Sequence, residues 1–220
     1  MKKVARLICL SIIFFLSACA SFQTAGQVQS GRRALLLNDS EQALAYFQQA
    51  AQSNPGYVFE AVWFREGIWT YVGRAQYATG RLQAARQSLE RALSMNKDDS
   101  LARIYLGLTR IRGEEDRSSG LKELETGLRD LHGWLEYMTA SRPLGPFWDP
   151  LREIRTEIEK DLALISTKDM DWQKLIESGE WIGQKMEDEI DRVRRDEQQQ
   201  FRRRDFDGRS GVSLGIGLGF

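Results

Sequence analysis

The stretch WTYVGRAQYATGRLQAARQSLERA, residues 69–92, decides the fold of this chain. Gly80 lies near its middle as a turn signal between two helix-forming runs. Gly73 in the first run is small enough to let the second helix approach closely. A small–large–small series in the second run falls at steps of four and three, on one helix face: Ala85, Leu89 and Ala92. The stretch therefore predicts two helices packed against each other.

The same spacing recurs on both sides of this stretch. In the first two copies a glycine is followed by a small, a large and a small residue at intervals of 12, 16 and 19 residues. In the third copy the intervals are 13, 17 and 20 residues. A proline ends the first copy, and an aromatic residue begins the second. We expect the following residues to pack the repeats together: Gly31, Ala43, Phe47, Ala50, Pro55, Trp69, Gly73, Gly80, Ala85, Leu89, Ala92, Leu106, Gly107, Gly120, Leu124 and Gly127.

This pattern resembles the tetratricopeptide repeat. The resemblance implies an all-α helical solenoid of about three helix–turn–helix repeats over residues 24–133, with a concave face. The first copy lacks the aromatic residue of the first helix, and the third lacks it too and has Gly120 where the family has alanine. Because Gly31 and Gly73 are 42 residues apart, we expect the first helix of the second repeat to start early, near Val58. A generic helical bundle with this spacing by chance is the alternative.

Residues 134–168 are expected to cap the stack. The pair His132-Gly133 predicts a helix end, followed by a short helix over residues 134–139. An irregular proline-rich loop comes next, and then a helix to about Ile165, with Asp149 as N-cap and Pro150 as first helical residue. The apolar stripe of that helix is Leu151, Ile154, Ile158, Leu162 and Ile165.

A long charged helix is expected over residues 169–204, capped by Asp169 or Asp171. Its apolar positions end at Val193, and the part beyond is predicted to project and fray. Acidic residues spaced with Arg or Lys at helical intervals, such as Glu157 and Lys160, are interpreted as solvated faces. The triplet at residues 202–204 could contact anionic lipid or an acidic partner, although a solvated charge run is the simpler interpretation.

Residues 205–220 form a Gly-rich tail with strict alternation over its last ten positions. The alternating apolar side chains are expected on one face of a strand: Val212, Leu214, Ile216, Leu218 and Phe220. Since one strand has nothing to pair with in water, we expect the isolated tail to be disordered and to order by strand addition to a partner's sheet. A dispensable end, or one that touches lipid, is the alternative.

The first residues predict a secretory leader. A basic start, with Lys2 and Lys3, precedes an apolar run over residues 7–16 that is too short to span a bilayer. The sequence Leu16-Ser-Ala-Cys19 then resembles a lipobox, which implies a signal peptide at residues 1–18, a lipid on Cys19 and a linker at residues 19–23. Residue 20 is Ala rather than Asp, which implies the periplasmic face of the outer membrane rather than the inner membrane. A secreted protein with a chance cysteine is the alternative.

Composition excludes several classes of function. The chain has 31 basic and 31 acidic residues, so it lacks the excess of positive charge that is typical of nucleic-acid-binding proteins. Its single histidine, His132, cannot form a His-based triad or a His-pair metal site. We expect no cofactor, no metal and no enzyme, although a pair of carboxylates brought together by the fold would be invisible in the sequence.

The sequence therefore predicts a membrane-anchored adaptor or assembly factor for an envelope complex, with a polypeptide in its groove. Trp63 and Phe64 are candidate partner-binding residues, with core packing as the alternative, whereas the resemblance assigns Trp69 to the core. Arg65 and Arg74 are expected at the surface near the groove. The alternative function is a structural subunit of an envelope machine, docked through its C-terminal helix and tail.

Overall fold

A computed structural model describes residues 23–114, 116–142, 145–167 and 170–209, without the side chains of residues 201 and 203–209. The predicted leader, Cys19, Asp169 and the alternating tail lie outside these residues. The described parts contain eight α-helices, which confirms the all-α prediction. They are α1 (residues 23–36), α2 (Ser40–Ser53), α3 (Ile68–Ala78), α4 (Leu82–Met95), α5 (Ser100–Arg112), α6 (Arg117–Ser141), α7 (Glu153–Ile165) and α8 (Trp172–Arg209).

Helices α1 to α6 form three consecutive pairs, α1–α2, α3–α4 and α5–α6. A Cβ built on Gly31 would lie 2.5 Å from the Phe47 ring, and one on Gly73 would lie 2.5 Å from Leu89 Cγ. In the third pair a Cβ on Gly107 would lie 2.6 Å from the backbone nitrogen of Leu124. Each pair is therefore closed by the same contact, a glycine of the first helix against the large residue of the second.

Capping and turn chemistry set the ends of these helices. The side chains of Asp39, Asp99 and Asp116 accept hydrogen bonds from backbone N–H groups in the first turns of α2, α5 and α6. Gly80 adopts a φ of 75° between α3 and α4, a conformation that suits glycine. Neighbouring pairs also pack on each other, α2 against α3 and α4 against α5, so the repeats form a continuous stack.

The interval between the first two pairs is a β-hairpin, so the expectation of an early helix near Val58 is wrong. Strands β1 (Val58–Ala61) and β2 (Phe64–Gly67) pair antiparallel. Their exposed and buried positions alternate, which is the period of a half-buried strand. The turn residues Val62 and Trp63 both have positive φ, 46° and 68°. The extra residues between the glycines are thus an inserted hairpin.

Helix α6 continues through Gly133, so the predicted helix end at residues 132–133 is wrong. A glycine inside a helix costs about 1 kcal/mol. That cost is smaller than the gain from burying the apolar stripe that continues past it, which comprises Leu128, Leu131, Leu135 and Met138. The second helix of the third pair is therefore itself the start of the cap.

Helix α7 begins at Glu153, later than predicted, and Pro150 is not its first residue. Arg152 has a φ of 57°, which interrupts the helix before it. Leu151 is consequently outside the helix and 78% exposed rather than part of the core stripe. Asp149 still serves the helix start, because its carboxylate accepts from the backbone N–H groups of Ile154 and Arg155.

Candidate interaction site on the concave face

Helix α8 lies across the first helices of all three pairs. The residues of α8 that meet them recur every four positions, on one helix face: Gly179, Gly183, Glu187 and Asp191. Along this row the neighbouring helix changes from α5 to α3 and then to α1. Helix α8 therefore occupies the face formed by the first helices of the pairs, which is the concave face on which the repeat pattern predicts a peptide groove.

Two glycines allow α8 to approach α5 closely. A Cβ on Gly179 would lie 2.9 Å from Leu108 Cδ2, and Gly183 lies directly against the Tyr105 ring. The Gly183 carbonyl accepts a 3.1 Å hydrogen bond from Arg74 Nη2 of α3. With Leu108 and Tyr105 in place, a larger side chain at either glycine would collide with them.

The middle of this interface is a buried cluster of charges. Glu187 pairs with Arg32 of α1 and, at 3.0 Å, with Arg74 of α3, which is also 2.7 Å from Glu66 of β2. All four side chains are at most 3% exposed. Two arginines and two glutamates balance each other there, and Asp191 adds a 2.9 Å contact to Arg32 at the rim.

Burial and charge act in opposite directions on these groups. Burial raises the pKa of Glu66 to about 7, against the opposing pull of Arg74. For Arg32, burial lowers the pKa, but Glu187 and Asp191 outweigh burial and raise it above its ordinary value. Three buried polar atoms of the cluster have no hydrogen-bond partner: Arg32 Nη1, Glu66 Oε2 and Arg74 Nε. Because the four charges are buried together, removal of any one of these side chains would leave an opposite charge buried without its partner.

The opposite side of α8 packs on the cap. The Glu189 carboxylate accepts a 2.9 Å hydrogen bond from the backbone N–H of Asp149, and Arg192 donates to the Phe147 carbonyl. Full burial of one apolar side chain contributes about 1.5–3 kcal/mol, and α8 has five that are fully buried: Leu175, Ile182, Met186, Ile190 and Val193. Helix α8 is therefore a permanent part of the fold and not a readily displaced occupant.

A cavity of about 600 Å³ remains between α8 and the first helices. Tyr77 at its wall donates a 2.6 Å hydrogen bond to Glu180 of α8. Burial and this hydrogen bond raise the pKa of Tyr77 well above its usual range. The other wall residues mix aromatic and charged groups and include Tyr105, Arg112 and Trp181.

The structure separates the residues predicted to meet a partner. Trp63 is 46% exposed, whereas Phe64 is buried and packs edge-on against Trp134, which favours the core-packing alternative for Phe64. Arg65 is exposed, but Arg74 is buried in the charge cluster rather than at the surface. Trp69 is half-buried against the core, and its Nε1 donates to the Pro55 carbonyl at 2.9 Å.

The buried charge cluster was missed by sequence reasoning, since charged residues at helical spacing usually face water. The only available signal was the four-residue row of α8, in which two glycines precede two acidic residues on one face.

Within the described ranges, no helix combines the length and apolarity needed to cross a membrane.

The tetratricopeptide repeat family matches residues 68–99, which span α3, α4 and the cap of α5. The chain therefore contains a tetratricopeptide repeat, at the place where the sequence pattern is strongest. Such repeats are typically non-enzymatic modules that bind polypeptides. No curated protein and no solved structure shows a significant match to the chain.

Proposed function

We propose that this chain is a lipid-anchored adaptor of the bacterial cell envelope, which holds a polypeptide partner near the periplasmic face of the outer membrane. The observation that carries the proposal is the repeat stack, a type of scaffold that presents a preformed surface to other proteins. The leader and the sequence ending at Cys19 support the anchor.

The anchor and the scaffold have complementary physical roles. A scaffold fixed to a membrane raises the effective concentration of its partner there. Because α8 locks the three pairs together, the scaffold would bind without losing much conformational entropy of its own. Since α8 also fills the concave face, the partner would bind on another surface of the stack.

Lipid labelling and crosslinking test this function together. Metabolic labelling with an alkyne fatty acid should mark the wild-type chain and leave Cys19→Ser unmarked. Membrane crosslinking followed by affinity recovery should then yield the same polypeptide partner repeatedly from the wild type and much less from Cys19→Ser. Equal labelling of both chains would contradict the anchor, and recovery of no partner would contradict the adaptor role.

The second candidate is a structural subunit docked through the end of α8 and the tail. It is supported by the length of α8, which runs to Arg209, well beyond its last fully buried apolar residue, Val193. Deletion of residues 211–220 should leave thermal stability unchanged and lower recovery of a membrane complex. Recovery at wild-type yield would contradict a docking role for the tail.

A further inference from the structure

The inserted hairpin projects an unusual group of side chains. At its tip, Val62 and Trp63 both adopt left-handed backbone conformations, which are unfavourable for a β-branched and an aromatic residue. The hairpin is held from below by Phe64, which lies 5.6 Å from the Trp134 ring and 6.0 Å from the Trp148 ring. The tip is therefore fixed on a packed aromatic base, with the Trp63 side chain 46% exposed.

Two cavities meet on the outer side of the hairpin. One, of about 250 Å³, is mainly apolar and is lined by Val58, Trp69 and Met95, among others. The other, of about 270 Å³, is lined by Trp63 and Trp134 together with Asp98 and Asp130. Arg65, Asn96 and Asp99 line both cavities, so the two adjoin.

Exposed apolar side chains surround this place. Met95 is 56% exposed, Trp63 46% and Val58 38%. We define the hairpin surface as these three residues together with three charged residues that line the cavities. Its members are Val58, Trp63, Arg65, Met95, Asp98 and Asp130. Exposed apolar groups gathered around concave sites are typical of a protein-binding surface.

The basic side chains around the hairpin surface are already engaged. Arg142 lies 5.8 Å from the centroid of the Trp63 ring. Arg65 is already paired with Glu60 at 2.8 Å. Asp98 makes no ion pair among the described residues, and the Asp130 carboxylate is 3.7 Å from its only such partner, Arg103. The Trp63 ring already attracts one cation, Arg142, and Asp98 and the weakly paired Asp130 line the same cavity. This cavity is suited to a cationic side chain of a partner, because aromatic rings and carboxylates both attract positive charge.

We propose that the hairpin surface binds an extended segment of a partner polypeptide. The segment would place an apolar side chain in the cavity beside Met95. It would place a lysine or arginine, roughly two to four residues away along the chain, between Trp63 and the carboxylates of Asp98 and Asp130. This inference rests on the proposed adaptor function and specifies which surface serves it. An anionic membrane is a poorer occupant because the carboxylates repel it.

Selection of displayed random peptides of about ten residues on the purified full chain tests the proposal. The selected peptides should share a basic residue near an apolar one. The double variant Asp98→Lys/Asp130→Lys should weaken their binding at least about tenfold, and Trp63→Ser should weaken it with both carboxylates intact. The control Asp188→Lys, at an exposed site on α8, should bind within about twofold of the wild type. Peptides without a basic residue, or binding unchanged by the variants, would overturn the proposal.

Photocrosslinking in cells separates this proposal from the adaptor function. A benzophenone side chain at Trp63 or Met95 should give a heterologous polypeptide adduct, and one at the exposed Trp181 of α8 should not. An adduct only at Trp181 would overturn the hairpin surface and leave the adaptor function standing. An adduct with a second copy of the chain would overturn the proposal of a heterologous partner and show that the hairpin surface mediates self-association. Adducts at none of the three positions would contradict both proposals.

Discussion

Arg32 and Glu187 lie 155 residues apart in the chain and form a fully buried ion pair. Arg32 belongs to the first helix of the stack and Glu187 to α8, the last helix that the structure describes. The pair closes the fold from end to end, and Glu187 also reaches Arg74 of α3. The concave face therefore has an occupant supplied by the same polypeptide.

Replacement of Glu187 by leucine should be strongly destabilising. The variant would leave Arg32 and Arg74 with too few buried carboxylates, and breaking a buried pair from one side costs about 3–5 kcal/mol. Urea unfolding measures the loss. The control Asp188→Leu, at an exposed neighbouring position, should change the free energy of unfolding by no more than about 0.5 kcal/mol. Similar effects of the two substitutions would contradict the buried cluster.

Glycine-to-alanine substitutions at two positions should change the stability of the fold in opposite directions. At Gly107 a Cβ would meet the Leu124 backbone at 2.6 Å, so Gly107→Ala should force the third pair apart and lower stability. At Gly133 a Cβ would have no neighbour within 4 Å. Gly133→Ala should therefore stabilise α6 by about 0.5–1 kcal/mol. Thermal melts of both variants check the signs, and a stabilising Gly107→Ala would contradict the close contact.

Substitution of Ala85 tests the second pair. Ala85 is fully buried between α3 and α4, so Ala85→Arg should cost several kcal/mol through overpacking and a buried charge. Gln87→Arg, on the exposed side of α4, is the matched control and should melt close to the wild type. If Ala85→Arg melts within a degree or two of the wild type, the packing assigned to this pair is incorrect.

Asp161 should make stability depend on pH. Burial raises the pKa of this carboxyl to about 6, compared with 3.8 for an ordinary aspartate, and its Oδ2 has no hydrogen-bond partner. The folded state therefore holds the proton more tightly than the unfolded state. Its contribution is fully present below about pH 4 and is lost as the pH rises through about 6.

The variant Asp161→Asn removes this titration. At pH 8 it should be more stable than the wild type by about 3 kcal/mol, and at pH 4 the gain should disappear. Urea unfolding at the two pH values measures the difference. An equal effect at both values would mean that burial of the charged form is not what costs stability at this site.

The helix pairs could be predicted because their determinants are local. Glycine, alanine and leucine at helical spacing act within about 20 residues, and Gly80 and Asp99 mark a turn and a helix start. The hairpin was missed because its turn is Val62-Trp63 rather than the Asn-Gly or Asp-Gly that usually signals one. Its four-residue strands were also too short to stand out against the flanking helical pattern.

The occupied concave face could not be predicted, because it depends on a contact between the two ends of the chain. Arg74 and Glu187 are 113 residues apart, and each alone has the sequence context of a solvated helical charge. Burial turns them into a structural pair. The same long-range packing places Phe64 in the core and leaves its neighbour Trp63 exposed.

Disulfide trapping between α5 and α8 tests most directly whether α8 fills the concave face. In a chain whose Cys9 and Cys19 are both serine, Leu108→Cys and Gly179→Cys would place two thiols at the observed contact between α5 and α8. A control pairs Leu108→Cys with Asp188→Cys, about 13 Å farther along α8.

Mild oxidation should convert the first pair completely into an intramolecular disulfide, seen as faster migration on a non-reducing gel, while the control stays reduced. A first pair that stays reduced, or that oxidises no faster than the control, would show that α8 does not lie in the concave face.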